Sequence, residues 1–162
     1  MKRPNKDTYY LDIALAVSKR STCLKRHYGC VIVKDDVIVA TGYNGSPRGE
    51  VNCCDSGVCK RSNAEKGKGY DECPAVHAEQ NALLAVDRAH SQGATLYLAC
   101  EEAIKTCGPA KVSCYDCTPD CRYKISLYFE EKSPKPCSMC AKMIKNAGIM
   151  RVVTREGDSF WD

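Results

Sequence analysis

Apolar residues recur at helical spacing near the start of the chain. Tyr10, Ala14 and Val17 share one face there, and Asp7 or Thr8 is placed to cap a helix running to about Lys19. Two short apolar runs follow, Cys30-Val31-Ile32-Val33 and Val37-Ile38-Val39-Ala40. The polar turn Lys34-Asp35-Asp36 between them predicts a β-hairpin. Residues 41–49 are dense in Gly, Asn, Ser and Pro and read as a loop. The polar stretch from Glu50 to Asp71 has no clear period. A second helix is expected from about His77 to Ala89, burying Ala78, Ala82, Leu83 and Val86. Ala94 to Ala99 reads as a strand. A third helix starts after Pro136, turns Met139, Met143 and Ile144 inward and stops at Gly148. Met150 to Thr154 is a last strand. Helices alternating with strands predict an α/β domain with a mixed sheet. The pattern breaks between about Cys100 and Pro136. Lys124 to Phe129 fits another strand, so this stretch reads as an inserted, cysteine-rich hairpin of about residues 100–135.

The length of 162 residues suits one domain, 1–162, with a real core. A hydrophobic fraction of 44% fits a globular chain. No apolar run reaches the roughly 18–20 residues that cross a bilayer, and the polar start is unlike a signal peptide. The net charge of +4 is mild and argues poorly for a duplex-binding surface. Thirteen cysteines change the picture. Their odd number, their close pairs and the lack of a secretory segment favour zinc in a reducing cytoplasm over disulfides. No internal repeat or low-complexity tract is present.

The chemistry is concentrated in a split pair of motifs, His77-Ala78-Glu79 and Pro136-Cys137-Ser138-Met139-Cys140. One imidazole and two thiolates are a ligand set for a catalytic zinc with one open position. Glu79 is placed to flank that ion without binding it and to move protons. The H-x-E and P-C-x-x-C arrangement matches the signature of the zinc nucleobase deaminases. A lone C-x-x-C reads more often as a zinc knuckle or redox pair. A purely structural zinc site with a fourth cysteine is the competing reading, but it has no use for Glu79.

Three further stretches extend the match. They are Gly42-Tyr43-Asn44-Gly45-Ser46-Pro47, His77-Ala78-Glu79-Gln80-Asn81-Ala82, and Cys137 to Ile144 followed by Ala147-Gly148-Ile149. Arg20-Ser21-Thr22-Cys23 and Gly29-Cys30-Val31-Ile32-Val33 fit as well. Together they resemble the deoxycytidylate (dCMP) deaminase family, notably its phage and late-competence-operon members. The resemblance covers most of residues 8–99 and 134–154 but not the insertion.

It implies a cytidine-deaminase-like three-layer αβα core with a five-stranded mixed sheet. It implies hydrolysis of dCMP to dUMP and ammonia for thymidylate synthesis. A homohexamer, activation by dCTP and inhibition by dTTP with Mg2+ are implied too. Asn44 falls in the family's nucleotide-contacting loop, and Ser46, Ala78 and Arg20 complete the candidate substrate contacts. In the phage relatives a second, structural zinc lies beside this loop. Cys23 and Cys53 match that site, and Cys59 and Cys73 replace its missing histidine and acidic ligands, with Cys54 as a competitor. The final stretch, Gly157 to Asp162, is shorter than the family's usual tail.

Cys107, Cys114, Cys117 and Cys121 lie together in the insertion, with a C-x-x-C at their centre, and read as a third zinc site. Cys30 and Cys100 read as free buried thiols. Arg20, Lys25, Arg26 and Arg48 flank the motif loops as candidates for an anion site, and the sequence does not choose among them. Two other functions compete. One is deamination of another nucleoside, nucleobase or tRNA, although the 42–47 loop and Ala141-Lys142-Met143-Ile144 favour a nucleotide. The other is a non-catalytic zinc-binding interaction module.

Overall fold

A computed structural model describes residues 3–61, 69, 72–107, 112–113 and 125–160. For residues 105–107, 112–113, 125–128 and 159–160 the description is of the backbone alone.

Helix α1 (Lys6–Ser18) is capped by Asn5, whose Oδ1 accepts from the Thr8 N–H at 2.8 Å. The cap therefore lies two residues before the expected Asp7. Strands β1 (Arg26–Lys34) and β2 (Val37–Tyr43) form the expected hairpin. Asp35 and Asp36 both have positive φ, 49° and 66°, the hand that a two-residue hairpin turn demands. The Tyr10 hydroxyl donates to Asp36 Oδ1 at 2.7 Å, so α1 pins this turn.

The polar stretch holds a short helix, α2 (Cys53–Ser56). Helix α3 (Ala78–Leu84) is shorter than the sequence pattern predicts. Asp87 ends the run by capping a separate turn, α4 (Arg88–Ser91), through its bond from the His90 N–H. Leu83 and Val86 are only partly buried, whereas Ala78 and Ala82 are fully buried.

Strand β3 (Thr95–Cys107) is twice the expected length, because the arms of the inserted hairpin continue the sheet. Its far half pairs antiparallel with β5 (Ile125–Lys132), Cys100 opposite Lys132 and Cys107 opposite Ile125. The two-residue β4 (Val112–Ser113) pairs with the end of β3. Helix α5 (Ser138–Asn146), β6 (Arg151–Thr154) and β7 (Gly157–Phe160) complete the described elements. The sequence pattern does not predict β7. Its residues are mostly polar, and only pairing with β6 across the Arg155-Glu156 turn makes it a strand.

The main path of the sheet is β2-β1-β3-β6-β7, five strands in all, and β4 and β5 pair with β3 beside it. The β3–β6 pair is parallel and the others are antiparallel, so the sheet is mixed. Both faces are covered, which explains the near-continuous apolar runs. On one face α1 packs Tyr10, Leu11 and Ala14 against Val31, Val33, Tyr97, Ala99 and Val153. On the other, α3 and α5 pack Ala78, Ala82, Cys140 and Ile144 against Cys30, Ile32, Leu96, Leu98 and Val152. Adjacent strand residues alternate between the two clusters, as the period of two requires.

Two glycines set the layer spacing. A Cβ on Gly29 would overlap the Ala14 carbonyl oxygen and the Ser18 N–H of α1. A Cβ on Gly42 would overlap the Ala78 carbonyl oxygen and the Ala82 N–H of α3. Across the sheet, Arg151 grips both carboxylate oxygens of Asp7 at 2.9 and 2.7 Å and also bonds Asp158, joining α1 to the β6–β7 hairpin. No helix of the described residues is long and apolar enough to cross a membrane.

Candidate metal and proton-transfer site

Helices α3 and α5 point their N-terminal ends at one spot on the sheet. His77 is the residue immediately before α3, and Cys137 the one before α5. The Gln80 side chain fixes the entry to α3, its Oε1 accepting the His77 N–H at 2.9 Å. Its Nε2 faces the sulfurs of Met139 and Met143, at 3.7 and 3.8 Å, and so bridges to α5. The sequence signal that would find Gln80 is a glutamine three residues after a helix cap, a spacing that reaches back to the cap N–H. Met139 is 62% exposed and does not enter the core as expected. It sits at the helix start, where its side chain meets Gln80 rather than the sheet.

His77 Nδ1 lies 3.3 Å from Cys140 Sγ and 3.6 Å from Cys137 Sγ. The three ligand atoms all fall within 4.8 Å of one another. Tetrahedral zinc with nitrogen and sulfur ligands at about 2.0–2.3 Å requires N···S separations of about 3.5 Å. The donor set and its spacing therefore fit a zinc ion held by three protein ligands. The Cys140 N–H points at Cys137 Sγ at 3.4 Å, an interaction that favours thiolate there. Burial and the nearby Glu79 carboxylate push the Cys140 thiol up, so its thiolate calls for a cation at this point.

Glu79 is 4% exposed, which is rare for a carboxylate. Burial raises its pKa, opposed by its own backbone N–H, by His77 and by the Cys140 thiol. It stands beside the three ligands without belonging to them. A carboxylate lifted out of its usual range in this way can take a proton and return it. Cys30 forms the floor below. It is fully buried, and burial, Glu79 and Cys140 hold it as a thiol.

The other expected site residues are arranged around this centre. The backbone of Gly45 exchanges two hydrogen bonds with Val76, at 3.2 and 2.8 Å, which fixes the 42–47 loop against the approach to His77. Asn44 is buried and bonded within the protein. Its Oδ1 accepts from Ser21 Oγ and the Tyr28 N–H, and its Nδ2 donates to the Arg26 carbonyl. The side chain of Ala78 lies in the core. Ser46 Oγ is buried, and among the described residues the Cys53 thiol is the group it acts on. Arg20 is exposed just beyond α1.

A cleft of about 370 Å3 opens against this loop, walled by Thr22, Tyr43, Ser46, Arg48, Asn52 and Asn81. None of His77, Glu79, Cys137 or Cys140 lines it.

Burial raises the Cys53 thiol, with Cys23, Cys59 and Cys73 adding to the effect. Cys54 is exposed and turns its thiol to Asp55. Among the described residues, only the His77–Cys137–Cys140 group has its ligand atoms drawn to within 4.8 Å. Cys114, Cys117 and Cys121 lie outside the described residues, as does the Cys107 side chain. Cys30 and Cys100 are buried and free, as expected.

Residues 4–156 match the family model described as the cytidine and deoxycytidylate deaminase zinc-binding region. The chain belongs to this deaminase family. Among curated family members, the deoxycytidylate deaminase of Mycobacterium phage D29 is 42% identical over 94% of this chain and 96% of its own length. That of Saccharomyces cerevisiae is 37% identical over 92% of this chain. The chain spans only 45% of the yeast protein. Among solved family structures, the dCMP deaminase of cyanophage S-TIM5 in complex with dCMP and dUMP matches with a TM-score of 0.56 and 26% identity. That match covers 94% of this chain and 82% of the phage chain.

Proposed function

We propose that this protein hydrolyses dCMP to dUMP and ammonia. The observation that carries the reading is a buried carboxylate, Glu79, beside a converging His77–Cys137–Cys140 ligand set. The phage D29 and yeast relatives named as deoxycytidylate deaminases, and the phage structure holding dCMP and dUMP, support dCMP as substrate.

When bound by His77, Cys137 and Cys140, zinc supplies Lewis acidity that activates a water at neutral pH. Glu79 accepts a proton from the water that attacks C4 of the cytosine ring. It delivers that proton to N3, then takes the second from the C4 hydroxyl and passes it to the amine, so that C4=O forms as the C4–N bond breaks and one water is consumed for each ammonia released. The buried walls around Glu79 keep bulk water from these transfers. An ammonia-release assay on dCMP, CMP and deoxycytidine tests the reading, with dCMP expected to be fastest. No release from dCMP would leave a non-catalytic zinc module as the better account.

The finer reading follows the family resemblance. The product supplies thymidylate synthesis, the chain assembles as a homohexamer, and dCTP activates while dTTP with Mg2+ inhibits. Rate measurements with each triphosphate, and light scattering for the mass, test these points. Asn44 and Ser46 border the substrate, with Ala78 and Arg20 beside them.

We also assign a second zinc to Cys23, Cys53, Cys59 and Cys73, supported by the influence of the other three thiols on Cys53, and a third to Cys107, Cys114, Cys117 and Cys121. Elemental analysis of protein purified without chelator is expected to give more than one zinc per chain. Cys59→Ser with Cys73→Ser should lower the ratio by about one and loosen the 42–47 loop, because structural zinc contributes folding energy directly. A parent ratio of one would remove both extra sites.

A further inference from the structure

We propose that Gln80 is a positioning residue that brackets the two ligand helices together, so that His77, Cys137 and Cys140 meet zinc as a ready-made triangle. The inference rests on the deaminase reading above. His77 enters the site with α3, whereas Cys137 and Cys140 enter with α5. A slide of one helix against the other therefore changes both N···S separations at once. A metal site tolerates only about ±0.2 Å in its ligand distances. The two helices pack on the sheet through Ala78, Ala82, Cys140 and Ile144. Apolar packing of this kind is non-directional and does not by itself fix such a slide.

Directional contacts hold α5 at both ends. At its far end the Asn146 carbonyl accepts from Arg88 Nη1 and the Ala147 carbonyl from Ser91 Oγ, each at 2.8 Å. At its ligand end the contact is Gln80. The Gln80 Oε1 is committed to the His77 N–H. Its NH2 group then faces the sulfurs of Met139 and Met143, which can only accept. These methionines are four residues apart, about one turn of α5, so one amide meets both. The same side chain grips the backbone of one ligand residue and the flank of the helix that carries the other two. The bracket also accounts for Met139, an exposed apolar residue outside the core cluster.

The 42–47 loop is held separately. Its Gly45 bonds to Val76, its Asn44 carbonyl accepts from the Thr22 N–H, and its Ser46 N–H donates to Thr22 Oγ1. A loosened bracket should therefore disturb the metal and the turnover step more than the grip on substrate.

Zinc release to a colorimetric chelator, visible spectra of the cobalt-loaded protein and dCMP kinetics test the assignment. They are measured on the parent, Gln80→Leu, Gln80→Glu and the double variant Met139→Leu with Met143→Leu. His77→Ala identifies the release phase that belongs to this centre. Gln80→Leu is expected to weaken zinc there about 10–100-fold, the usual effect of losing a group that orients a metal ligand. The cobalt bands should shift, and kcat should fall while KM for dCMP changes by no more than a few-fold. Gln80→Glu keeps an acceptor for the His77 N–H and should recover part of the loss. The double methionine variant nearly conserves volume but removes both sulfurs. It should weaken zinc about tenfold, the low end of the same range.

Parent-like zinc release and cobalt bands in Gln80→Leu, with only a lower melting temperature, would make Gln80 a helix cap and overturn the bracket. Parent-like zinc release in the double methionine variant would also overturn it, since no tie to α5 would remain. If Gln80→Leu does not fold, the double methionine variant decides: weaker zinc supports the bracket and unchanged zinc overturns it. A parent that holds zinc through His77 and loses it in these variants, yet releases no ammonia from dCMP, overturns the deaminase reading and keeps the bracket.

Discussion

Glu79→Gln is expected to leave zinc bound while deamination falls by about 10²–10⁴-fold or more. The amide keeps the size and one acceptor oxygen of the carboxylate but cannot accept and return a proton at neutral pH. The ligand atoms of His77, Cys137 and Cys140 do not include Glu79, so their spacing should survive. Elemental analysis and turnover on dCMP, measured on one preparation, separate the two effects. Loss of zinc together with activity would assign Glu79 a structural role. Activity within a few-fold of the parent would remove it from the chemistry.

Gly42→Ala is expected to act through the backbone. The new methyl would drive β2 off the Ala78 carbonyl and the Ala82 N–H of α3, both main-chain groups that cannot swing aside. Overpacking of this kind costs about 1–3 kcal/mol, or roughly 2–12 °C in melting temperature for a chain of this size. The same displacement moves the start of α3, and with it His77 and Glu79. The folded variant should therefore lose turnover as well, since misplacement by about 1 Å can cost a hundredfold. Gly29→Ala provides the contrast. Its methyl meets α1 on the opposite face, so the melting temperature should fall while turnover per folded molecule holds. Equal loss of turnover in the two variants would show that the Gly42 contact does not position the site.

The sequence made the chemistry legible because its residue types are rare in combination. His77, Glu79, Cys137 and Cys140 have few reasons to appear at this spacing, and the fold brings three of them to one ligand cluster with the fourth beside it. The core strands were equally legible, since burial on both faces leaves unbroken apolar runs. What escaped the pattern depends on partners far along the chain. The polar residues of β7 become a strand only against β6. Met139 looks like a core residue by helical spacing, yet its place in the first turn of α5 leaves it exposed beside Gln80. Asp87 falls inside the helix that the spacing predicts, although its side chain starts a new one. The Arg26–Glu102 pair joins residues 76 positions apart, and no local signal announces it.

His77 and the two cysteines that face it are separated by 60 and 63 positions, across most of the sheet. During synthesis His77 leaves the ribosome well before Cys140, and at about 5–20 residues per second the interval is several seconds. Until then the imidazole has no thiolate partners. Cys23, Cys53, Cys59 and Cys73 have all emerged before His77 itself. The His77–Cys137–Cys140 centre is therefore completed only after all of the sheet except β6 and β7 has been synthesised.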